Sequence, residues 1–255
     1  MPNRMKEKIR QRQAALGLSL MIPSPQLVEM AGKIGFDWVL IDCEHGSIGL
    51  ETVELMVMAA EACGITAIVR PPKNDPETVL QYLDRGVGGI QAPHVNTAAE
   101  AAQIVAAAKY HPEGARSLAV GTRSAGYGLR LDLDKYTSQA NHELLVCVQI
   151  EDKEALGNIG EIAAVPGIDV LFVGPSDLSQ SLGYPGQSGH PVVQEAINSA
   201  FAAIAATGRA SGTAGNFAVA EQRLKQGVTY FYTHLTTVFA HGCNEFFRFT
   251  GGIQK

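Results

Sequence analysis

The sequence contains no run of uncharged apolar residues near the roughly 20 needed to cross a bilayer. Residues 1–13 carry Arg4, Lys6, Lys8, Arg10 and Arg12 and lack the apolar centre of a signal peptide. These two absences predict a soluble, cytoplasmic protein with no membrane partner. The formal net charge is −5 and no Lys/Arg cluster provides a phosphate-tracking face, so no nucleic-acid partner is expected. Cysteine is scarce: Cys43, Cys63, Cys147 and Cys243 form no CxxC pair and lie in apolar runs. They read as buried free thiols, and nothing points to an oxidising compartment. A GxGxxG turn opening a helix after the first strand is absent, which removes the usual mark of an open dinucleotide-binding sheet. There is no internal repeat, low-complexity segment or domain boundary.

What is present is alternation. The 255 residues, 46% hydrophobic and 18% charged, suit one large α/β domain. Short apolar runs predict strands over 16–21, 38–42, 66–70, 89–92, 144–150, 170–173, 210–213 and 229–233. Segments of helical period predict helices over 24–33, 50–63, 76–85, 98–110, 153–164, 191–208, 216–226 and 236–249. Pro25 in the first turn and Gly35 just past the end delimit the first of these. Residues 111–141 look irregular, 174–189 reads as a loop, and 1–13 is an N-terminal extension or helix. Strands that are apolar throughout are buried on both faces. Eight β/α units in this length predict a single-domain, closed (β/α)8 barrel of the TIM type, with the open doubly wound sheet as the structural alternative.

In such a barrel the active site lies at the C-terminal ends of the strands, so the residues ending each strand carry the functional question. The second strand ends in Asp42-Cys43-Glu44-His45-Gly46, the third in Arg70-Pro71-Pro72, and the fifth in Gln149-Ile150-Glu151-Asp152. The sixth runs into Gly174-Pro175-Ser176-Asp177-Leu178-Ser179, and the eighth ends in Thr233-His234. The approaches to the strands show nothing comparable. Asp152, Ser176 or Asp177 could each be a helix cap, and a lone histidine or arginine a structural group. Convergence of five strand ends favours a functional reading of the set.

Glu151 and Asp177 come from adjacent strands, and two converging carboxylates repel unless a cation lies between them. Hard oxygen donors without cysteine favour Mg2+ or Mn2+, with Co2+ also possible, over zinc. Two protein carboxylates leave positions for water or for a 2-oxo acid, which chelates through its carboxylate and keto oxygens. Metal coordination would polarise the keto group and stabilise an enolate. Arg70 suits the substrate's charged oxygens, and Gln149 can donate a neutral hydrogen bond. Gly174, Ser176 and Thr213 are further candidates for substrate binding. His45 is the candidate base, its tautomer fixed by Asp42, Glu44 or Asp84. The competing imine route needs a lysine inside the barrel. The nine lysines all fall outside the predicted strands, which favours the metal route.

The runs Asp37-Trp38-Val39-Leu40-Ile41-Asp42-Cys43-Glu44-His45-Gly46, Val69-Arg70, Leu83-Asp84-Arg85-Gly86, Gln149-Ile150-Glu151 and Val173-Gly174-Pro175-Ser176-Asp177-Leu178-Ser179 together resemble the HpcH/HpaI aldolase family, from about residue 18 to 247. The resemblance implies a metal-dependent class II aldolase that splits 4-hydroxy-2-oxo acids into pyruvate and an aldehyde. It implies Glu151 and Asp177 as metal ligands, His45 as base, Arg70 and Gln149 on the oxo acid, and Asp84 reaching a neighbouring subunit's site. It also implies a homo-oligomer, a hexamer built as a trimer of dimers, with the last helix exchanged between paired subunits. The chain departs from the family pattern at Tyr232-Thr233-His234, Ala115-Arg116-Ser117 and Thr122-Arg123-Ser124, segments expected to lie near the mouth and meet the aldehyde. His234 is left open between a polar contact and a structural role. The rival readings are a citrate lyase-type acyl-CoA lyase and a non-catalytic oligomeric barrel.

Overall fold

The computed structural model describes residues 2–129 and 132–249, the side chain of residue 134 excepted. Eight parallel strands, β1 (Ala15–Leu20), β2 (Trp38–Asp42), β3 (Thr66–Arg70), β4 (Gly89–Ala92), β5 (Leu145–Ile150), β6 (Val170–Val173), β7 (Ala210–Ala214) and β8 (Tyr230–His234), close in sequence order, β8 pairing back to β1. Around them run α1 (Arg4–Arg10), α2 (Pro25–Ile34), α3 (Leu50–Cys63), α4 (Pro76–Asp84), α5 (Ala98–Ala108), α6 (Leu133–Glu143), α7 (Lys153–Gly157), α8 (Ile159–Ala164), α9 (Pro175–Ser181), α10 (Pro191–Thr207), α11 (Phe217–Lys225) and α12 (Leu235–Phe249). The architecture is the expected (β/α)8 barrel.

Alternation along each strand divides the core in two. Leu18, Leu20, Val39, Ile41, Val69, Ile90, Val148 and Val173 face outward and pack under the helices. Trp38, Leu40, Ile68, Cys147, Phe172, Tyr230 and Tyr232 fill the barrel. Trp38 lies against Tyr230 with ring centroids 4.2 Å apart, and Phe172 stacks on Tyr232 at 5.2 Å. The same parity turns Asp42, Arg70 and Gln149 to the interior at the C-terminal end, above this aromatic layer.

The N-terminal segment is a helix that stoppers the opposite end. Asn3 caps α1 by accepting from the Lys6 amide, and Met5 and Ile9 join the interior core. Lys6 Nζ reaches Asp169 Oδ2 at 2.9 Å and the Leu144 carbonyl at 2.6 Å, and Lys8 meets Asp37 at 2.5 Å. The strand approaches, where Asp37 and Asp169 lie, therefore carry a network of their own. Its carboxylates also accept strand amides, Leu16 at 2.9 Å and Val146 at 2.9 Å. Lys109, donating to the Asn141 and Leu144 carbonyls, is pushed down to about 8 by burial, with Lys6 adding to the effect. No strand contains a lysine.

Three expectations change. The loop over 174–189 contains α9, opened by Pro175, and the irregular stretch contains α6, capped by Asp132. The helix over 153–164 is two pieces joined at Asn158, whose side-chain amide donates to the Asn96 carbonyl at 2.8 Å. Seven residues are too few to show a period, and LDKYTSQANHE has too few apolar residues to show a stripe. All four cysteines are free. Cys43 and Cys147 are buried, but Cys63 and Cys243 are half-buried, because they end a surface helix and ride on α12. No helix among the described residues is long and apolar enough to cross a membrane.

Candidate active site at the barrel mouth

Asp42, the last residue of β2, is fully buried and receives Arg70 in a fork, Nε at 3.1 Å and Nη2 at 2.5 Å. It also accepts the amides of Glu44 at 3.1 Å and His45 at 3.2 Å, which fixes the turn that follows. That turn needs Gly46: a Cβ there would stand 2.3 Å from the Asp42 carbonyl oxygen. Burial alone would push the Asp42 carboxyl up, yet Arg70 and these amides hold it below the usual carboxylate range. The Arg70 guanidinium, though buried, is kept charged by the same pair. Its contacts use Nε and Nη2, with Glu44 3.2 Å from Nε, and leave Nη1 unengaged among the described residues.

Glu44 is the hub of this rim. One oxygen lies 3.2 Å from Arg70 and 3.7 Å from His45 Nε2, the other 3.7 Å from His94 Nε2. Of the three candidate companions for His45, Glu44 is thus the one beside its imidazole, Asp42 holds its backbone, and Asp84 is elsewhere. The His45 side chain is 54% exposed, open to a ligand at the mouth.

Glu151 follows β5 and is 1% exposed. It accepts the His94 amide at 2.9 Å and the side-chain amide of Gln149. Gln149 is itself oriented from below: Tyr230 Oη donates to Gln91 Oε1 at 2.8 Å, and Gln91 Nε2 to Gln149 Oε1 at 2.5 Å. This chain of bonds through the barrel aims the Gln149 NH2 at Glu151. No lysine or arginine among the described residues pairs with Glu151. Burial pushes its carboxyl up to about 7, the nearby Asp177 charge adding to the effect and His94 opposing it. Asp177, in the first turn of α9, has no hydrogen bond or ion pair among the described residues. Gly174 lies against the Glu151 carboxylate, and a Cβ there would meet Oε2 at 2.5 Å. Ser176 is exposed in the same turn. Thr213 is buried and donates to the Val173 carbonyl at 2.9 Å, an interaction within the barrel wall.

The structure therefore brings His45, Arg70, Gln149, Glu151, Gly174 and Asp177 to one mouth. It also brings His94, which sequence reasoning missed. His94 follows β4 with a left-handed backbone, φ 51°, an uncommon conformation for a side-chain-bearing residue. Its Nδ1 lies 3.1 Å from Asp152 and 3.6 Å from Glu151. Burial works against its positive charge, but Asp152, Glu151 and Glu44 raise its pKa above the ordinary histidine value. Inspecting the end of the fourth strand, Ala92-Pro93-His94, as the others were inspected would have found it.

Asp84 is not at this mouth. It ends α4, which runs back from the C-terminal end of β3, and it pairs with Arg116 at 2.9 Å. Arg116 and Arg123, expected near the mouth, line a cavity of about 360 Å3 at the floor side with Arg4, Glu61 and Tyr136. The direction of the helix decides this: its last residue lies at the end where the next strand begins. The mouth rather than this cavity is the candidate site. The cavity's inner arginines already have partners, Arg123 with Glu61 and Arg116 with Asp84, whereas Glu151 at the mouth has no lysine or arginine partner among the described residues and feels the charge of Asp177.

Glu151 and Asp177 fit a divalent ion with hard-oxygen preference, since they are carboxylates, one buried without a lysine or arginine and the other unpartnered. No group of three or more His, Cys, Asp or Glu among the described residues forms a fuller cage, so the remaining positions would go to water or to a chelating ligand.

The fold is a closed (β/α)8 barrel whose strand C-termini gather polar side chains at one mouth. The chain belongs to the HpcH/HpaI aldolase/citrate lyase family, whose model matches residues 16–233. It is 37% identical over 210 residues to a pyruvate aldolase of Rhizobium etli, covering 82% of each chain. It is 36% identical over 230 residues to a 5-keto-4-deoxy-D-glucarate aldolase of Shigella boydii, covering 90% of this chain and 88% of that one. A crystal structure of a family member from Burkholderia cenocepacia superposes with a TM-score of 0.92 at 29% identity, over 98% of this chain and 100% of the other.

Proposed function

We propose that the protein is a divalent-metal-dependent aldolase that cleaves or forms 4-hydroxy-2-oxo acids, with pyruvate and an aldehyde as the small-molecule partners. The observation that carries this reading is Glu151: a buried carboxylate oriented by Gln149 and His94, beside Asp177, with no lysine or arginine among the described residues to neutralise it. Glu151 and Asp177 would hold the Mg2+ or Mn2+ ion, which would supply Lewis acidity for the negative charge developing on the 2-oxo acid. The relatives named above as aldolases support the same reaction class.

The residues divide the work. Arg70, locked by Asp42 and Glu44, offers Nη1 to the oxo acid's oxygens at a fixed position. His45, beside Glu44, takes the proton from the C4 hydroxyl as the C3–C4 bond breaks; the bonding pair stays on C3 as the pyruvate enolate, and the aldehyde leaves. Glu44 stabilises the imidazolium so formed. In condensation the same histidine returns the proton to the new alkoxide. Asp84, paired with Arg116 on the far side of its own barrel, is proposed to serve the mouth of a neighbouring subunit in a hexameric assembly.

A coupled assay for pyruvate release from 4-hydroxy-2-oxo acids tests this reading. Activity should vanish with EDTA and return with Mg2+ or Mn2+. Undiminished turnover of rigorously chelated protein, or no pyruvate from any 4-hydroxy-2-oxo acid with metal present, overturns it.

A further inference from the structure

Ser19 Oγ and His234 Nδ1 are among the buried side-chain atoms that have no hydrogen-bond partner among the described residues. They are not separate curiosities. Ser19 on β1 and His234 at the end of β8 are direct register partners. Alternation along both strands turns them to the barrel interior, the side occupied below by Ala15, Tyr230 and Tyr232. Ser19 is 2% exposed. The His234 ring is held edge-on by Tyr232, with centroids 5.5 Å apart. Burial, and then the Arg70 charge, push its imidazole below the ordinary histidine range, with Asp42 opposing. The pairing of Ser19 with His234 puts both on the β8–β1 side of the mouth, with β6 two strands and β5 three strands away from β8 in the barrel order.

Buried hydroxyl and imidazole groups are normally satisfied, so an adjacent pair that is not indicates a partner supplied from outside the chain. The partner's chemistry follows from the charges. Ser19 carries no charge, His234 is held towards its neutral form by burial and the Arg70 charge, and the remaining Nη1 of Arg70 is taken by the oxo acid in the proposed function. Neither Ser19 nor His234 offers a charge for a carboxylate or phosphate. A hydroxyl, which donates one hydrogen bond and accepts another, matches both atoms.

We infer that Ser19 and His234 form a subsite for a hydroxyl group on the aldehyde partner, selecting 2-hydroxyaldehydes over their deoxy counterparts. This rests on the aldolase reading, in which Arg70, Glu151 and Asp177 hold the pyruvate half and leave the β8–β1 side to the aldehyde. Sites built around a substrate hydroxyl reject the analogue that lacks it, because buried polar groups are then left unpaired.

The test uses the full chain with saturating Mg2+ and pyruvate, comparing kcat/KM for glycolaldehyde and acetaldehyde. The wild-type ratio should be roughly tenfold or more in favour of glycolaldehyde. Ser19→Ala and His234→Leu should each bring it towards unity, and His234→Asn, which keeps a hydrogen-bonding group near Nδ1, should restore part of it. Deuterium exchange at pyruvate C3, followed by NMR without aldehyde, reads the pyruvate half separately. Exchange in the wild type with a ratio near one, or with a ratio that neither Ser19→Ala nor His234→Leu lowers, overturns the subsite alone. Absence of metal-dependent exchange overturns the aldolase reading and the subsite with it.

Discussion

At the scale of single residues, Glu151 has the largest consequences. Its carboxyl ordinarily titrates near 4.5 and is raised to about 7 in the fold. Between those values the native state binds more protons than the unfolded chain, so metal-free protein loses stability as pH rises from about 4.5 to 7. The full shift corresponds to roughly 3 kcal/mol. Glu151→Gln should abolish that slope in chelator-treated protein, measured as the difference in unfolding free energy between variant and wild type across this range. Parallel curves would show that burial does not load this side chain as described. The same variant, and Asp177→Asn, should lose divalent-ion binding in calorimetry. For His45→Ala we expect kcat to fall by roughly 100-fold or more with metal affinity retained; a negligible fall would make the histidine a bystander.

At the scale of elements, β2 with its turn and the α1 stopper do opposite jobs. Asp42 closes a strand end into a rigid bend by accepting two amides and Arg70, and so presents Glu44 and His45 at the mouth. The α1 helix closes the floor with Met5, 1% exposed, against the interior aromatics. Met5→Ala should cost roughly 2–5 kcal/mol in denaturant unfolding, without changing which metal binds, since it lies at the far end of the barrel. An effect below about 1 kcal/mol would mean that α1 is docked only loosely. Strands such as β2, β3, β5 and β6 were legible because short apolar runs rich in Val, Ile and Leu fit a doubly covered sheet. The α6 and α9 helices were not legible: one has too few apolar residues to show a stripe and the other is only two turns long.

At the scale of the whole molecule, the described residues leave several large apolar side chains exposed. No residue of α12 is buried, and Phe239 and Phe249 are 70% and 79% exposed. Met30 and Ile34 on α2 and Leu55 on α3 are also exposed. An isolated monomer rarely leaves so much apolar surface exposed. With Asp84 turned away from its own mouth, this supports the proposed assembly. Sedimentation velocity should find a species several times heavier than the 27.1 kDa chain, and a stable monomer with full activity would exclude a site shared between subunits.

The sequence alone determined the eight β/α units and the end of the barrel at which most of the candidate site groups gather, because strand burial and strand-end polarity are written locally as runs of residue type. Only the tertiary structure decided how those groups relate. Asp42 turned out to be Arg70's anchor, Glu44 the neighbour of both His45 and His94, and Gln149 the end of a hydrogen-bonded chain rooted at Tyr230. Pairings of this kind depend on closure of the barrel and on the parity of strands far apart in the chain, such as β1 with β8, and no local pattern records them.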